Sequence, residues 1–176
     1  MEQTENAVKS RGYAFVAYCI ERIQKDNGFA AALRRADNPA TEYQSWEYLA
    51  NWCDLAKPWE LLPFATVAAA VARAKPKQNG SLKIGQALTV CYSDGGANGR
   101  ENDSAKMKMR RLLACENTAE VCRIIRPILQ LLASRGIGMD FGGLLDDLLY
   151  FNERVKQNWA MSYYGRRPDD SIDVQP

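Results

Sequence analysis

Lys106, Lys108, Arg110 and Arg111 form the densest cluster of charge in this 176-residue sequence. Lys106 and Arg110 stand i, i+4 apart and are neighbours on one side of a helix. Arg123 and Arg126, i, i+3 apart, and the adjacent pair Arg34 and Arg35 make two smaller groups. Cations on helices suit one kind of chemistry: they neutralise phosphates and release counterions without reading base sequence. From Ala105 to Arg135 seven basic residues stand against two acidic ones, a local excess of +5 in a chain whose net charge is only +2. A nucleic-acid surface is therefore expected to be local, and acidic residues elsewhere mask it in the sum. Arg73, Lys75 and Lys77 form a further basic run. It reads equally as a helix terminus favourable for the dipole or as a nucleic-acid contact.

Other chemistries lack their residues. The chain has no histidine, which removes the commonest general base and the commonest metal ligand together. Cys19, Cys53, Cys91, Cys115 and Cys122 include no CxxC pair, so neither a zinc site nor a disulfide framework is expected. They read as buried reduced thiols, which places the chain in the cytoplasm. Asp146 and Asp147 are adjacent in a helical pattern and point about 100° apart, so they do not converge on a metal. They read as surface charges or as partners for Arg123, Arg126 or Arg154. The glycine-rich stretch around Gly95, Gly96 and Gly99 is followed by no GK[ST] and is not a phosphate-binding loop. No catalytic residue, metal or cofactor is expected. Met1 to Asn6 is acidic and polar, unlike a signal peptide, and no apolar run approaches the ~20 residues that span a bilayer.

The elements that must carry these cations are helices. Met109, Leu112 and Leu113 share one face, with the basic cluster off it. Val121, Ile124, Ile125, Ile128, Leu129, Leu131 and Leu132 form a broad apolar stripe opposite Arg123 and Arg126, in a helix that Thr118 can cap. Pro127 either kinks that helix or opens a new one. Gly136 suits a left-handed ending, and Asp140 can cap a last long helix through Trp159. Upstream, helices are predicted over Ala7–Lys25, after a cap at Asp26 or Asn27, from a Thr41 capping box through Cys53, over Thr66–Ala74, and after Ser81. Pro63 is expected to prevent one regular helix across Trp59 to Phe64. Trp46, Trp52, Trp59 and Phe64 read as core rather than as base-stacking platforms. The prediction is an all-α fold of about eight helices in two packed helical-bundle lobes, 7–92 and 104–164. A linker, 93–103, joins them, and the termini, 1–6 and 165–176, are loose.

The run RRLLACENTAEVCRIIRPILQLLASRGIGMDFGGLLDDLLYFNERVKQNWAMSYY resembles the C-terminal half of the CasB family, the small subunit of the type I-E CRISPR Cascade complex. DNGFAAALRRA (Asp26–Ala36) and SLKIGQAL (Ser81–Leu88) are similar to upstream parts of that family, in the same order. The resemblance implies a non-catalytic subunit that sits beside a second copy of itself. It implies contacts with the guide-RNA backbone subunits, the large subunit, guide RNA and target DNA, where the subunit holds the heteroduplex open and cradles the displaced strand. It also tips Arg34 and Arg35 toward a phosphate contact. The expected nucleic-acid-binding residues are Arg34, Arg35, Lys106, Lys108, Arg110, Arg111, Arg123 and Arg126. The alternative is an all-α adaptor or DNA-binding regulator unrelated to CRISPR. Such a regulator needs a polar recognition helix, and the segment Met139–Phe151 is too apolar and acidic to enter a groove.

Overall fold

The computed structural model describes residues 10–95 and 98–165; the expected loose termini, apart from Gly165, lie outside them. Among the described residues there are nine α-helices: α1 (Arg11–Ile23), α2 (Asn27–Arg34), α3 (Trp46–Leu49), α4 (Pro58–Ala74), α5 (Ile84–Cys91), α6 (Asp103–Leu113), α7 (Thr118–Ser134), α8 (Phe141–Leu149) and α9 (Glu153–Tyr164). The one β-type contact among them is an isolated parallel bridge between Leu82 and Met139.

α4 is the central helix. Leu61 and every residue from Pro63 to Ala72 are buried, and α1, α2, α7 and α8 all pack against it. Pro63 therefore lies inside one regular helix, contrary to the sequence expectation. Its ring removes the bond to the Trp59 carbonyl and costs about 3 kcal/mol. Burial of Leu61, Phe64, Val67 and Val71, each worth about 1.5–3 kcal/mol, outweighs that cost. Pro127 likewise lies inside an uninterrupted α7, on its exposed side. Water can reach the Arg123 carbonyl that the proline leaves without a helical donor.

Several ends differ from expectation for local reasons. The Thr41 hydroxyl donates to the Arg35 carbonyl at the open end of α2 (3.2 Å) and caps nothing, so residues 42–49 form a short 3₁₀ turn followed by α3. Asn117 rather than Thr118 caps α7, accepting from the Glu120 N–H at 2.9 Å. Ser81 caps no helix, because the next residue is held in the bridge: Asp140 N–H donates to the Leu82 carbonyl at 2.9 Å. Lys83 precedes α5, with its N–H donating to Gln86 Oε1 at 3.0 Å. The last long helix is two helices. Asn152 caps α9 through the Val155 N–H (3.1 Å), which lets α9 pack on α5 and α6 while α8 stays on α1 and α4. Of the two residues offered for the α2 cap, Asp26 is the one that caps; Asp140 is a cap as read, and Gly136 adopts φ +65 beyond the end of α7.

Residues of both expected lobes contribute to one core. The buried side chains form one cluster running from Phe15 to Tyr163, and α1 on α8, α4 on α7 and α5 on α9 all cross the 93–103 segment. The five cysteines are free and buried, and burial pushes Cys53 up to about 11 and Cys122 up to about 12. Cys53 and Cys122 are inert thiols at neutral pH.

Asp146 and Asp147 are neither surface charges nor partners of Arg123, Arg126 or Arg154. The two carboxylates turn to different helices, α1 and α9. Asp146 accepts from the Gly12 N–H at 3.0 Å and from the Ser10 hydroxyl. Asp147 accepts from the Trp159 indole N–H at 2.7 Å. Burial raises the Asp147 carboxyl above its ordinary range, against the opposing pull of the Trp159 hydrogen bond. The folded chain thus binds this proton more readily than the unfolded chain, and stability falls as pH rises through that window. Asp147→Asn keeps an acceptor for the indole and removes the buried charge. It is expected to raise the melting temperature at neutral pH, with the gain vanishing as pH falls below the ordinary carboxylate range. Thermal melts of both proteins across pH check this; an equal difference at every pH would contradict it.

Candidate nucleic-acid interface

The eight cations stand on rigid elements but not on one face. On α6, Lys106, Arg110 and Arg111 line a shallow groove together with Asp103, Met107 and Ala114. Met109 and Leu112 turn inward and are fully buried, which holds the helix in place and leaves Arg110 and Arg111 exposed. Neither of these arginines carries an ion pair among the described residues. Lys106 reaches back to Glu101 at 2.9 Å and holds that carboxyl below its ordinary range. Lys108 leaves the groove and lies 5.5 Å from the ring centre of Tyr92, which Arg135 also covers at 5.3 Å.

The other four cations stand around the ends of α2 and α4 and the middle of α7. Arg35 is exposed and bonds Gln44 at 2.8 Å. Arg34 is half-buried, and its carbonyl accepts from Arg73 at 3.1 Å. Arg123 is exposed and Arg126 half-buried, and both line a cavity with Asp37 and Glu42. The acidic partner of Arg126 is Asp37, at 3.1 Å, rather than a residue of α8.

Arg73, Asp37 and Arg135 are the charged residues whose part the sequence reading missed. Arg73 was legible as basic, but its bidentate bond to Asp37, at 2.7 and 2.6 Å, joins residues 36 positions apart. Lys75 and Lys77 of the same run are exposed, and Lys75 ends α4 in the left-handed region at φ 46. The aromatics divide. Phe64 is fully buried, and Trp52 packs edge-on against Phe15 at 5.2 Å. Trp46 and Trp59 are 39% and 59% exposed and are not core, because both stand at the starts of helices whose buried faces lie elsewhere.

The geometry offers little else. No group of three His, Cys, Asp or Glu among the described residues could hold a metal, and no helix is long and apolar enough to cross a membrane. α8 buries Phe141, Leu144, Leu145 and Leu148 against its neighbours, so it is not presented as a recognition helix.

Residues 30–164 match the family model of the CRISPR-associated protein Cse2. The comparison with curated proteins returns no match. Among solved structures, a chain of a CRISPR RNA-guided surveillance complex is 23% identical, with TM-score 0.71 over 88% of this chain and 91% of that one. A CRISPR-associated protein of the Cse2 family from Thermus thermophilus is 24% identical, with TM-score 0.67 over 88% of this chain and 98% of that one. A structure of CasB from Thermus thermophilus is also 24% identical, with TM-score 0.68 over 89% and 99%. The helical fold is shared with all three.

Proposed function

The chain belongs to the Cse2 family of CRISPR-associated proteins, and from that membership we propose that it is the non-catalytic small subunit of a type I-E RNA-guided surveillance complex. In this role it assembles in the cytoplasm with the guide-RNA backbone subunits, the large subunit, guide RNA, target DNA and a second copy of itself. The observation that carries the reading is the family match, whose residues 30–164 contain all eight candidate cations. The structure adds a physical basis for the nucleic-acid part. Arg110, Arg111 and Arg123 are exposed on helices anchored by buried apolar faces, and fixed spacing concentrates their potential. Such cations bind phosphates without base preference, which suits a complex in which base pairing supplies specificity.

The test is the double variant Arg110→Ala/Arg111→Ala in the reconstituted complex. Both side chains are exposed, so the helical signal and melting temperature are expected to stay close to the parent. Target-DNA affinity is expected to fall, and the slope of log affinity against log salt to shrink by roughly one unit for each phosphate no longer neutralised. A variant that melts much earlier while its complex binds DNA normally would make these arginines scaffold. A preparation that never enters the complex would remove the subunit assignment.

A further inference from the structure

Asp37 is the point where the cations of α2, α4 and α7 meet. Its side chain is 3% exposed, accepts from both terminal nitrogens of Arg73, at 2.7 and 2.6 Å, and forms an ion pair with Arg126, whose Nε stands 3.1 Å from Oδ2. Arg73 also donates to the Arg34 carbonyl at 3.1 Å, so this carboxylate ties the last turn of α2 to the end of α4 and the middle of α7. Asp37 and Glu42 stand against Arg73, Arg123 and Arg126 here, which leaves a surplus of one positive charge. The ion pair engages the Nε side of the Arg126 guanidinium. Its terminal nitrogens have no hydrogen-bond partner among the described residues. The adjoining cavity, about 240 Å³, is lined by Arg126 and the exposed Arg123, and also by Asp37 and Glu42.

We infer that Asp37 is a positioning residue: it locks Arg126 so that its terminal nitrogens, with Arg123, seat one backbone phosphate of bound nucleic acid at this cavity. A planar guanidinium paired on its Nε side leaves its terminal nitrogens as a fork suited to two phosphate oxygens, and a surplus cation in a half-buried setting favours an anion. The inference rests on the nucleic-acid reading of this face. It adds a claim about a residue of the wrong charge, since an aspartate near a phosphate repels it by field alone.

That opposition of signs supplies the test, made with the full chain, a labelled single-stranded DNA of mixed sequence and a salt titration. Asp37→Asn adds one positive charge to the molecule. If the arginines act only as a diffuse field, the variant binds more tightly with a steeper salt slope. If Asp37 positions Arg126, it binds about fivefold more weakly with a slope shallower by about one, as Arg126→Ala also does. The double variant is then no weaker than Arg126→Ala alone, since both changes remove the same phosphate bond. Arg126→Lys leaves the bond between Asp37 and Arg73 in place, so it decides the matter if Asp37→Asn fails to fold. It keeps the charge and loses the fork, and is expected to behave like Arg126→Ala. Arg126→Lys binding like the parent, or Asp37→Asn binding more tightly, overturns the inference. Arg126→Ala binding like the parent instead overturns the nucleic-acid reading of this face.

Discussion

Residues 104–164 expressed without the first half of the chain are expected to show little helical signal and no cooperative melting transition. α7 loses α4, α8 loses both α1 and α4, and α9 loses α5. Phe141, Leu144, Leu145 and Leu148 of α8 alone then return to water, at about 1.5–3 kcal/mol each. That loss rivals the whole net stability of an ordinary domain, about 5–15 kcal/mol. The Ser10 and Gly12 bonds to Asp146 go as well. Co-expression of residues 1–95 with 98–176 is expected to restore the helical signal, since the break falls in the connection and spares the packed faces. Circular dichroism of the single fragment and of the pair checks both statements. A cooperative transition from 104–164 alone would show a lobe with a core of its own.

Gly12→Ala and Gly28→Ala are expected to move stability in opposite directions. Both glycines are inside helices, and replacing a helical glycine by alanine normally gains about 0.5–1 kcal/mol. At Gly28 a Cβ meets only Asp26 Oδ1, at 3.4 Å, an ordinary van der Waals distance, so the gain is expected in full. At Gly12 a Cβ would stand 2.5 Å from the Gly142 carbonyl oxygen and 2.5 Å from Asp146 Oδ1. The carbonyl belongs to the backbone of α8 and cannot rotate away. α1 and α8 must part, and overpacking of that kind costs about 1–3 kcal/mol, which exceeds the propensity gain. Melts of the two variants beside the parent decide it; stabilisation by Gly12→Ala would mean that the two helices have room to separate.

Gly12 also shows where reading the sequence runs out. In the sequence it weakens a helix pattern. In the fold it is where α1 lies against α8, a partner more than a hundred positions away. The same holds for Pro63, whose helix-breaking cost is local and whose compensation is the burial of α4 by the helices around it. It holds again for Asp146 and Asp147, whose pattern reads as a solvated face until α1 and α9 cover it.

The sequence by itself determined that this protein is helical, because apolar spacing at i, i+3 and i+4 is a property of neighbours along the chain. For the same reason it located the cap at Asp140, narrowed that of α2 to Asp26 or Asn27, and located the turn at Gly136 and the basic character of α6, and the ordered matches to the family followed from residue identity. The tertiary structure decided what depends on distance through space. It joined the two expected lobes through one core, ran α4 straight through Pro63 and divided the last helix at Asn152. It also sorted the cations, leaving Arg110 and Arg111 exposed on α6, drawing Lys106 to Glu101 and Lys108 to Tyr92, and fastening Arg73 and Arg126 to Asp37. A charge pattern records which residues are basic; whether each meets solvent or a carboxylate is set by elements that only packing brings together.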